Sequence, residues 1–351
     1  MRVLVTGSDG FIGRNLVAWL GERGDFEVLP YTRASTEADL DARIAQTDFV
    51  FHLAGVNRPT DPADFDTGNA GFTRTLVERI AHQKRILPVV FASSVQAERD
   101  NLYGVSKRAA EEALLAYGKA SGFPVYIYRL ANVFGKWCRP NYNSVVATFC
   151  HNVARGLPIS IHDPAAAVSL VYIDDVADEF IRVLGRHHSG CGPAPSGPYR
   201  DAGPVYDTTV GELAAMIRGF RDSRVTLTPG RVGAGLARAL YATYVSYLPP
   251  ESFSYAISKH VDPRGEFAEV LKTPDCGQFS YFTAHPGVTR GNHYHHSKTE
   301  KFLVIRGRAR FRFRHLASAT PLSSKPRATP RGSSRASPGG RTTLPTSAAR
   351  R

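Results

Sequence analysis

Short hydrophobic runs recur along the first third of the chain, separated by stretches of helical periodicity. Residues 2–6, 26–31, 49–53, 87–93 and 124–130 predict strands, and residues 11–23, 65–83 and 102–121 predict helices between them. Val3-Leu4-Val5, the run 49–53 and the run 88–92 are apolar at nearly every position. A strand with one wet face alternates, whereas a strand apolar throughout is covered on both faces. Alternating strands and helices then predict an α/β domain with a doubly wound parallel sheet.

Beyond Ala131 the pattern loosens into Gly/Pro-rich segments, as expected of a smaller substrate-side lobe. Residues 190–204 read as a surface loop, and 208–220 as a helix with Thr208 or Thr209 as N-cap ahead of Glu212. A Tyr/Pro-rich junction at 246–250 precedes short alternating runs at 267–271, 279–282, 302–305 and 309–313, which predict an antiparallel β-domain. Residues 316–351 contain only Leu, Ala, Ser, Thr, Pro, Lys, Gly and Arg. Such a segment buries too little apolar surface to offset its ordering entropy, so disorder is expected. A shifted reading frame is the favoured origin of this tail. The expected domains are therefore 1–245, a partial antiparallel domain at 246–315, and the basic tail at 316–351.

Composition adds limits. Of 351 residues, 42% are apolar and 21% charged, ordinary for a soluble globular protein. No run approaches the ~18 apolar residues of a membrane span, so no membrane insertion is expected. The N-terminus enters a strand directly, without signal-peptide anatomy, and Cys138, Cys150, Cys191 and Cys276 lack paired or zinc-ribbon spacing. A cytoplasmic protein with free thiols is the expectation. The net charge of +13 suggests a nucleic-acid partner until it is located: 316–351 carries seven basic residues and no acid, and 13 minus 7 leaves +6 for the rest. That modest field suits the attraction of nucleotide phosphates, and equally a solvated surface; no nucleic-acid partner is expected.

The candidate chemistry begins at residue 7. Gly7-Ser8-Asp9-Gly10-Phe11-Ile12-Gly13 joins a strand to a helix, the context in which a glycine triplet holds a dinucleotide pyrophosphate in a Rossmann domain. Where an NAD site places an acid after the second strand, this chain has Arg33, which can pair with a 2′-phosphate and favours NADP. Tyr103 and Lys107 share a helix face at i and i+4, and an ammonium there is expected to lower the phenol pKa toward proton transfer. Ser94, at the end of the preceding strand, can polarise a carbonyl that Tyr103 protonates. Farther on, His293 and His295 project from the same side of an expected strand and Glu300 follows, a set suited to Zn²⁺ or another divalent ion with an open position. Nothing in the spacing of Cys276 requires it as a further ligand.

Gly7/Gly10/Gly13, His52-Leu53-Ala54-Gly55, Ser94, Tyr103-x-x-x-Lys107 and the run 129–135 (Arg-Leu-Ala-Asn-Val-Phe-Gly) together resemble an extended short-chain dehydrogenase/reductase acting on nucleotide sugars. The resemblance covers residues 1 to about 245. It implies that Ser94 and Tyr103 contact the reacting carbonyl and that Lys107 also holds the nicotinamide ribose. It also puts Ala54 and Gly55 along the cofactor cleft and Asn132 near the substrate. Residues 168–176 resemble that family's later strand-and-turn segment. The glycine-flanked cluster 287–307 resembles the first cupin signature, and 290–295 resembles sugar-nucleotide 3-epimerases; the second cupin signature is absent.

The combination resembles the bifunctional capsular-polysaccharide synthesis enzymes of the CapF type. That resemblance implies C3 epimerisation and then NADPH-dependent C4 reduction of a UDP-2-acetamido-2,6-dideoxy-4-hexulose, on the way to UDP-N-acetyl-L-fucosamine. The partner would be a UDP-linked 4-keto-6-deoxy amino sugar, with a homodimer left open and the epimerase step expected to be impaired. Three rivals stand beside this reading. They are an NAD-dependent nucleotide-sugar 4-epimerase; a 4,6-dehydratase, which Val95-Gln96 disfavours by replacing an Asp-Glu pair; and a non-enzymatic dinucleotide-binding regulator.

Overall fold

The computed structural model describes residues 1–190, 197–275, 277–293, 300–313 and 322–324. Two compact units divide at Thr283/Ala284. The first begins with β1 (Arg2–Thr6), α1 (Phe11–Arg23), β2 (Glu27–Tyr31), α2 (Glu37–Ile44), β3 (Phe49–His52), α3 (Phe72–His82), β4 (Val89–Ser94), α4 (Leu102–Ser121) and β5 (Val125–Leu130). It continues through β6 (Asn132–Phe134), α5 (Val145–Ala154), β7 (Ala167–Tyr172), α6 (Ile173–His188), β8 (Tyr199–Arg200), β9 (Val205–Thr209), α7 (Val210–Thr226) and α8 (Gly235–Ser246). An antiparallel sheet of β10 (Lys259–Asp262), β11 (Gly265–Thr273) and β12 (Gly277–Phe282) completes it.

The main sheet runs β2-β1-β3-β4-β5-β8, parallel throughout. Each central strand sends successive side chains to opposite faces, so its apolar positions divide between two cores. Val3, Val5, Phe49, Phe51, Val90 and Tyr128 pack with Leu16 and Leu20 of α1 and Phe180 and Leu184 of α6. Leu4, Val50, Val89, Phe91 and Ile127 face Leu40 and Ile44 of α2, Leu76 and Ile80 of α3, and Ala110 and Leu114 of α4. The two-sided cover predicted from the apolar runs is present.

The smaller lobe is built on β6-β7-β9, with β6–β7 parallel and β7–β9 antiparallel. Phe134, Phe149, Leu170, Leu213, Ile217, Leu240 and Tyr244 form its core. The helix expected at 208–220 is α7, longer at its C-terminal end, and its N-cap resolves to Thr209, which shares a capping box with Glu212.

Several expectations change. The segment 190–204 is not loop throughout, because β8 within it pairs with β5. Residues 168–176 are strand and helix rather than strand and turn, since Ile173 opens the 16-residue α6. The helix expected across 65–83 is present without interruption to His82, but its first part is a π-helical turn, Asp66–Gly71, that runs into α3. The three-stranded sheet lies within the first compact unit.

In the second unit β13 (Phe311–Phe313) pairs antiparallel with β14 (Leu322–Ser324). Leu322–Ser324 lies inside the tail expected to lack structure, and the remainder of 316–351 is outside the described residues. The run 302–305 forms no strand, but the Phe302 ring sits 4.8 Å from that of Phe311. Among the described residues no helix is long and apolar enough to cross a membrane.

Candidate active site

The loop between β1 and α1 is dictated by backbone contact. Gly7 has φ +67°, and a Cβ there would lie 2.8 Å from the Ala54 backbone. A Cβ at Gly13 would fall 2.1 Å from the Gly7 carbonyl oxygen, which already accepts from the Gly10 amide at 3.0 Å. Neither position admits a side chain without moving main chain. α1 begins with no side-chain cap and no acid in its first turn, so its leading N–H groups and positive dipole end carry no side-chain counter-charge. This cradle fits a dinucleotide diphosphate. Phe11 and Ile12 pack half-buried side chains against the core of the smaller lobe.

Opposite the glycine loop, β3 ends in a hydrogen-bonded strut. Thr6 Oγ1 accepts from the Leu53 and Ala54 amides at 3.2 and 3.3 Å and meets His52 Nδ1 at 2.8 Å. His52 Nε2 meets Thr73 Oγ1 at 2.9 Å, and the Thr73 hydroxyl donates to the Asn69 carbonyl at 2.7 Å. With that hydroxyl proton committed, His52 Nε2 is assigned as the donor and Nδ1 as the acceptor from Thr6. Burial first, then the charge of Lys107, pushes the His52 pKa down to about 3, so the ring is a neutral brace.

Tyr103 and Lys107 project from α4, whose start is fixed by two features. Asn101 caps it by accepting from the Gly104 amide at 2.8 Å, and Gly104 lies so close to the turn Val95–Glu98 that a Cβ would fall 2.2 Å from the Gln96 carbonyl. Lys107 is 5% exposed, and its ammonium donates to the Ala92 carbonyl at 3.0 Å and lies 4.8 Å from the centre of the Phe91 ring. A Cβ on Gly55 would stand 3.1 Å from Lys107 Nζ and 2.9 Å from Asn69 Oδ1. Gly55 thereby leaves room beside the ammonium. Burial pushes the Lys107 pKa down to about 8, with Glu111 acting in the opposite direction.

Burial raises the Tyr103 pKa, and the Ser94 hydroxyl beside the phenol offsets part of that rise. The expected lowering of the phenol by Lys107 is therefore not what the structure gives. The ammonium is turned to Ala92 and Phe91, and desolvation of the phenol prevails. The Ser94 hydroxyl lies beside the Tyr103 phenol, and Lys107 follows one turn along the same helix.

Arg33 is exposed on the loop after β2, where it lines a cavity of about 370 Å³ with Val56, Arg58, Thr67, Gly68 and Tyr142. Asn132 is exposed on β6 and spends one amide hydrogen on the Ser169 carbonyl at 3.0 Å. His293 and Glu300 are exposed, whereas His295 lies outside the described residues, as do Cys191 and Cys276. Among the described residues no group of three His, Cys, Asp or Glu side chains converges in a way that could hold a metal ion.

Sequence reasoning missed two residues that shape this site. Asn69 is buried in the π-helical turn, bonding both backbone groups of Val56 at 2.9 Å and the Ser106 hydroxyl at 3.0 Å. It thereby ties the loop after β3 to α4, and no periodicity announces it. Glu111 sits 1% exposed one turn beyond Lys107. Its signal was readable, because a carboxylate at i+8 from Tyr103 lies on the same side of the helix.

Residues 3–193 match the NAD dependent epimerase/dehydratase family, and residues 260–327 match the polysaccharide biosynthesis C-terminal domain. A Pseudomonas aeruginosa UDP-2-acetamido-2,6-beta-L-arabino-hexul-4-ose reductase is 57% identical over 316 residues, covering 90% of this chain and 83% of its own length. The crystal structure of the capsular polysaccharide assembling protein CapF from Staphylococcus aureus superposes with a TM-score of 0.85 at 38% identity. That match covers 93% of this chain and 87% of the other. A Thermus thermophilus UDP-glucose 4-epimerase, 21% identical with a TM-score of 0.55, covers 70% of this chain and 99% of its own, and shares the fold.

Proposed function

The chain belongs to the NAD dependent epimerase/dehydratase family, and on that premise we propose that it is an NADPH-dependent reductase of a UDP-linked 4-keto-6-deoxy amino sugar in capsular or O-antigen polysaccharide synthesis. Its substrate would be a UDP-2-acetamido-2,6-dideoxy-4-hexulose, reduced at C4 toward UDP-N-acetyl-L-fucosamine. The observation that carries this reading is the convergence of Ser94, Tyr103 and Lys107 beside Gly55, across from the glycine loop.

The Gly7–Gly13 loop and the start of α1 would hold the diphosphate, Ala54 and Gly55 the cleft wall, and Arg33 the 2′-phosphate. When bound, NADPH supplies hydride to C4. Ser94 polarises the ketone by donating its hydroxyl hydrogen to the oxygen. Tyr103, held neutral by burial, gives its proton to that oxygen as charge develops. Lys107, an ammonium below about pH 8, stabilises the tyrosinate left behind. Asn132, on β6, would face the sugar nucleotide.

The same reading assigns C3 epimerisation to a cupin-like segment in which His293, His295 and Glu300 would bind Zn²⁺. Support comes from the motif and from the match of residues 260–327. His293 and Glu300 are exposed, and a weak metal shell and an impaired epimerase step are part of the proposal. Tyr103→Phe tests the reductase. We expect kcat to fall by about 10²-fold or more with NADPH affinity retained, and unchanged turnover would remove Tyr103 from the mechanism.

A further inference from the structure

Three consecutive residues at the end of β4 meet one face of α4. The Ala92 carbonyl accepts from Lys107, the Ser93 hydroxyl donates to Glu111 Oε1, and Ser94 lies against Tyr103. Tyr103, Lys107 and Glu111 stand at i, i+4 and i+8, the spacing that keeps them on one side of the helix. Behind them, Arg129 grips Glu111 with two nitrogens, Nε at 3.0 and 3.2 Å from its two oxygens and Nη2 at 2.6 Å from Oε2. Tyr199 adds its hydroxyl to Oε2 at 3.2 Å. Arg129 is the register partner of Ser93 on β5, lies over the Tyr199 ring, and reaches Glu98 at 3.0 Å.

We propose that Glu111, clamped by Arg129, is a positioning residue that keeps buried Lys107 an ammonium and locks the end of β4 in register with Tyr103. The proposal rests on the reading of Tyr103 and Lys107 as reductase machinery. Along the network the charges of Lys107, Glu111, Arg129 and Glu98 alternate in sign and sum to zero. The other groups facing Lys107 carry no compensating charge: His52 from β3 is neutral, Tyr103 is a phenol, and Asn69 and Gly55 are uncharged. Burial disfavours the ammonium, and Glu111 supplies the opposing attraction. Arg129 fixes the Glu111 carboxylate through two nitrogens and offsets part of its charge.

A purely structural ion pair predicts that losing either partner weakens the fold in the same way. A positioning pair predicts opposite electrostatic effects. The test is an NMR titration of the lysine ¹³Cε signals in the full chain without cofactor, with Lys107→Met as the assignment blank. Glu111→Gln should move the Lys107 midpoint down by about one pH unit, and Arg129→Gln should move it up, since Glu111 is then no longer neutralised. Arg129→Lys, which keeps the charge, should restore most of the wild-type midpoint. The alkaline limb of kcat/KM should shift in the same directions. Equal midpoints, or shifts of one sign in both variants, overturn the proposal. If Glu111→Gln fails to fold, the contrast between Arg129→Gln and Arg129→Lys decides by the same criterion. The titration needs no turnover, so a chain that reduces no keto sugar sinks the reductase reading while leaving the Glu111–Lys107 coupling measurable.

Discussion

Replacing Lys107 with methionine retains much of the side chain's length and removes a charge that the fold holds at a cost. Lys107 is 5% exposed, and burial lowers its pKa from an ordinary 10.5 to about 8. At about 1.4 kcal/mol per pH unit, the folded state disfavours the ammonium by about 3 kcal/mol relative to the unfolded chain. Methionine relieves that cost and deprives the Ala92 carbonyl of its donor, a loss of about 1 kcal/mol. The net expectation is a variant about 2 kcal/mol more stable at pH 7 and without reductase activity. The sign with pH follows from linkage. The folded pKa lies below the unfolded one, so between pH 8 and 10.5 the unfolded state binds more protons and wild-type stability rises with pH. The advantage of the variant is therefore full below pH 8, shrinks above it, and is gone near pH 10. Urea denaturation of both proteins at pH 7 and pH 10 measures this. A variant no more stable at pH 7, or a gap unchanged at pH 10, would refute the reasoning.

Three further outcomes are expected. His52 has a folded pKa of about 3 against an ordinary 6.5, so as pH falls below 6.5 the unfolded state takes up the proton first and stability is lost. Between pH 6.5 and 5 that loss is about 2 kcal/mol. His52→Gln should lack it in urea melts at pH 7 and 5, and parallel losses in both proteins would contradict the neutral-brace assignment. Arg33→Ser should raise KM for NADPH roughly 10- to 100-fold, the value of a charge-assisted phosphate contact, with KM for NADH unchanged. Equal effects on both cofactors would remove Arg33 from a 2′-phosphate site. Deuterium incorporation at C3 of the keto sugar in D₂O should be slow and insensitive to added Zn²⁺; fast, Zn²⁺-dependent exchange would show a competent epimerase segment.

The parts of this molecule legible in the sequence are those where local and tertiary preferences agree. β1, α1 and α4 have the bounds that the sequence predicts, because Val3-Leu4-Val5 forms an uninterrupted apolar centre of the strand and each helix ends in a left-handed glycine, Gly24 or Gly122. α2 escaped notice because Leu40 and Ile44 are its buried residues, although the Thr36/Asp39 capping box marked its start. β8 was hidden in a Gly/Pro-rich stretch, and its extended form is supplied by pairing with β5 rather than by its own composition. Conversely, Phe302 to Ile305 looked like a strand and forms none, since an apolar run needs a partner to become a ladder. At the site, the order Ser94, Tyr103, Lys107 was readable from spacing. The direction of the Tyr103 pKa was not, because it depends on where the Lys107 ammonium points. Asn69 and the Thr6–His52–Thr73 strut were likewise out of reach, being hydrogen-bond partnerships between residues distant in the chain.

The central claim is net hydride delivery to C4 of a UDP-linked keto sugar. Incubating the chain with a UDP-2-acetamido-2,6-dideoxy-4-hexulose and NADPH deuterated at the transferable nicotinamide position tests it most directly, by absorbance at the reduced-nicotinamide band and NMR of the product. The account predicts stoichiometric NADPH oxidation, with deuterium at C4 of the reduced sugar. Interconversion of C4 epimers with no net oxidation of the cofactor, or no reaction at C4, would contradict it.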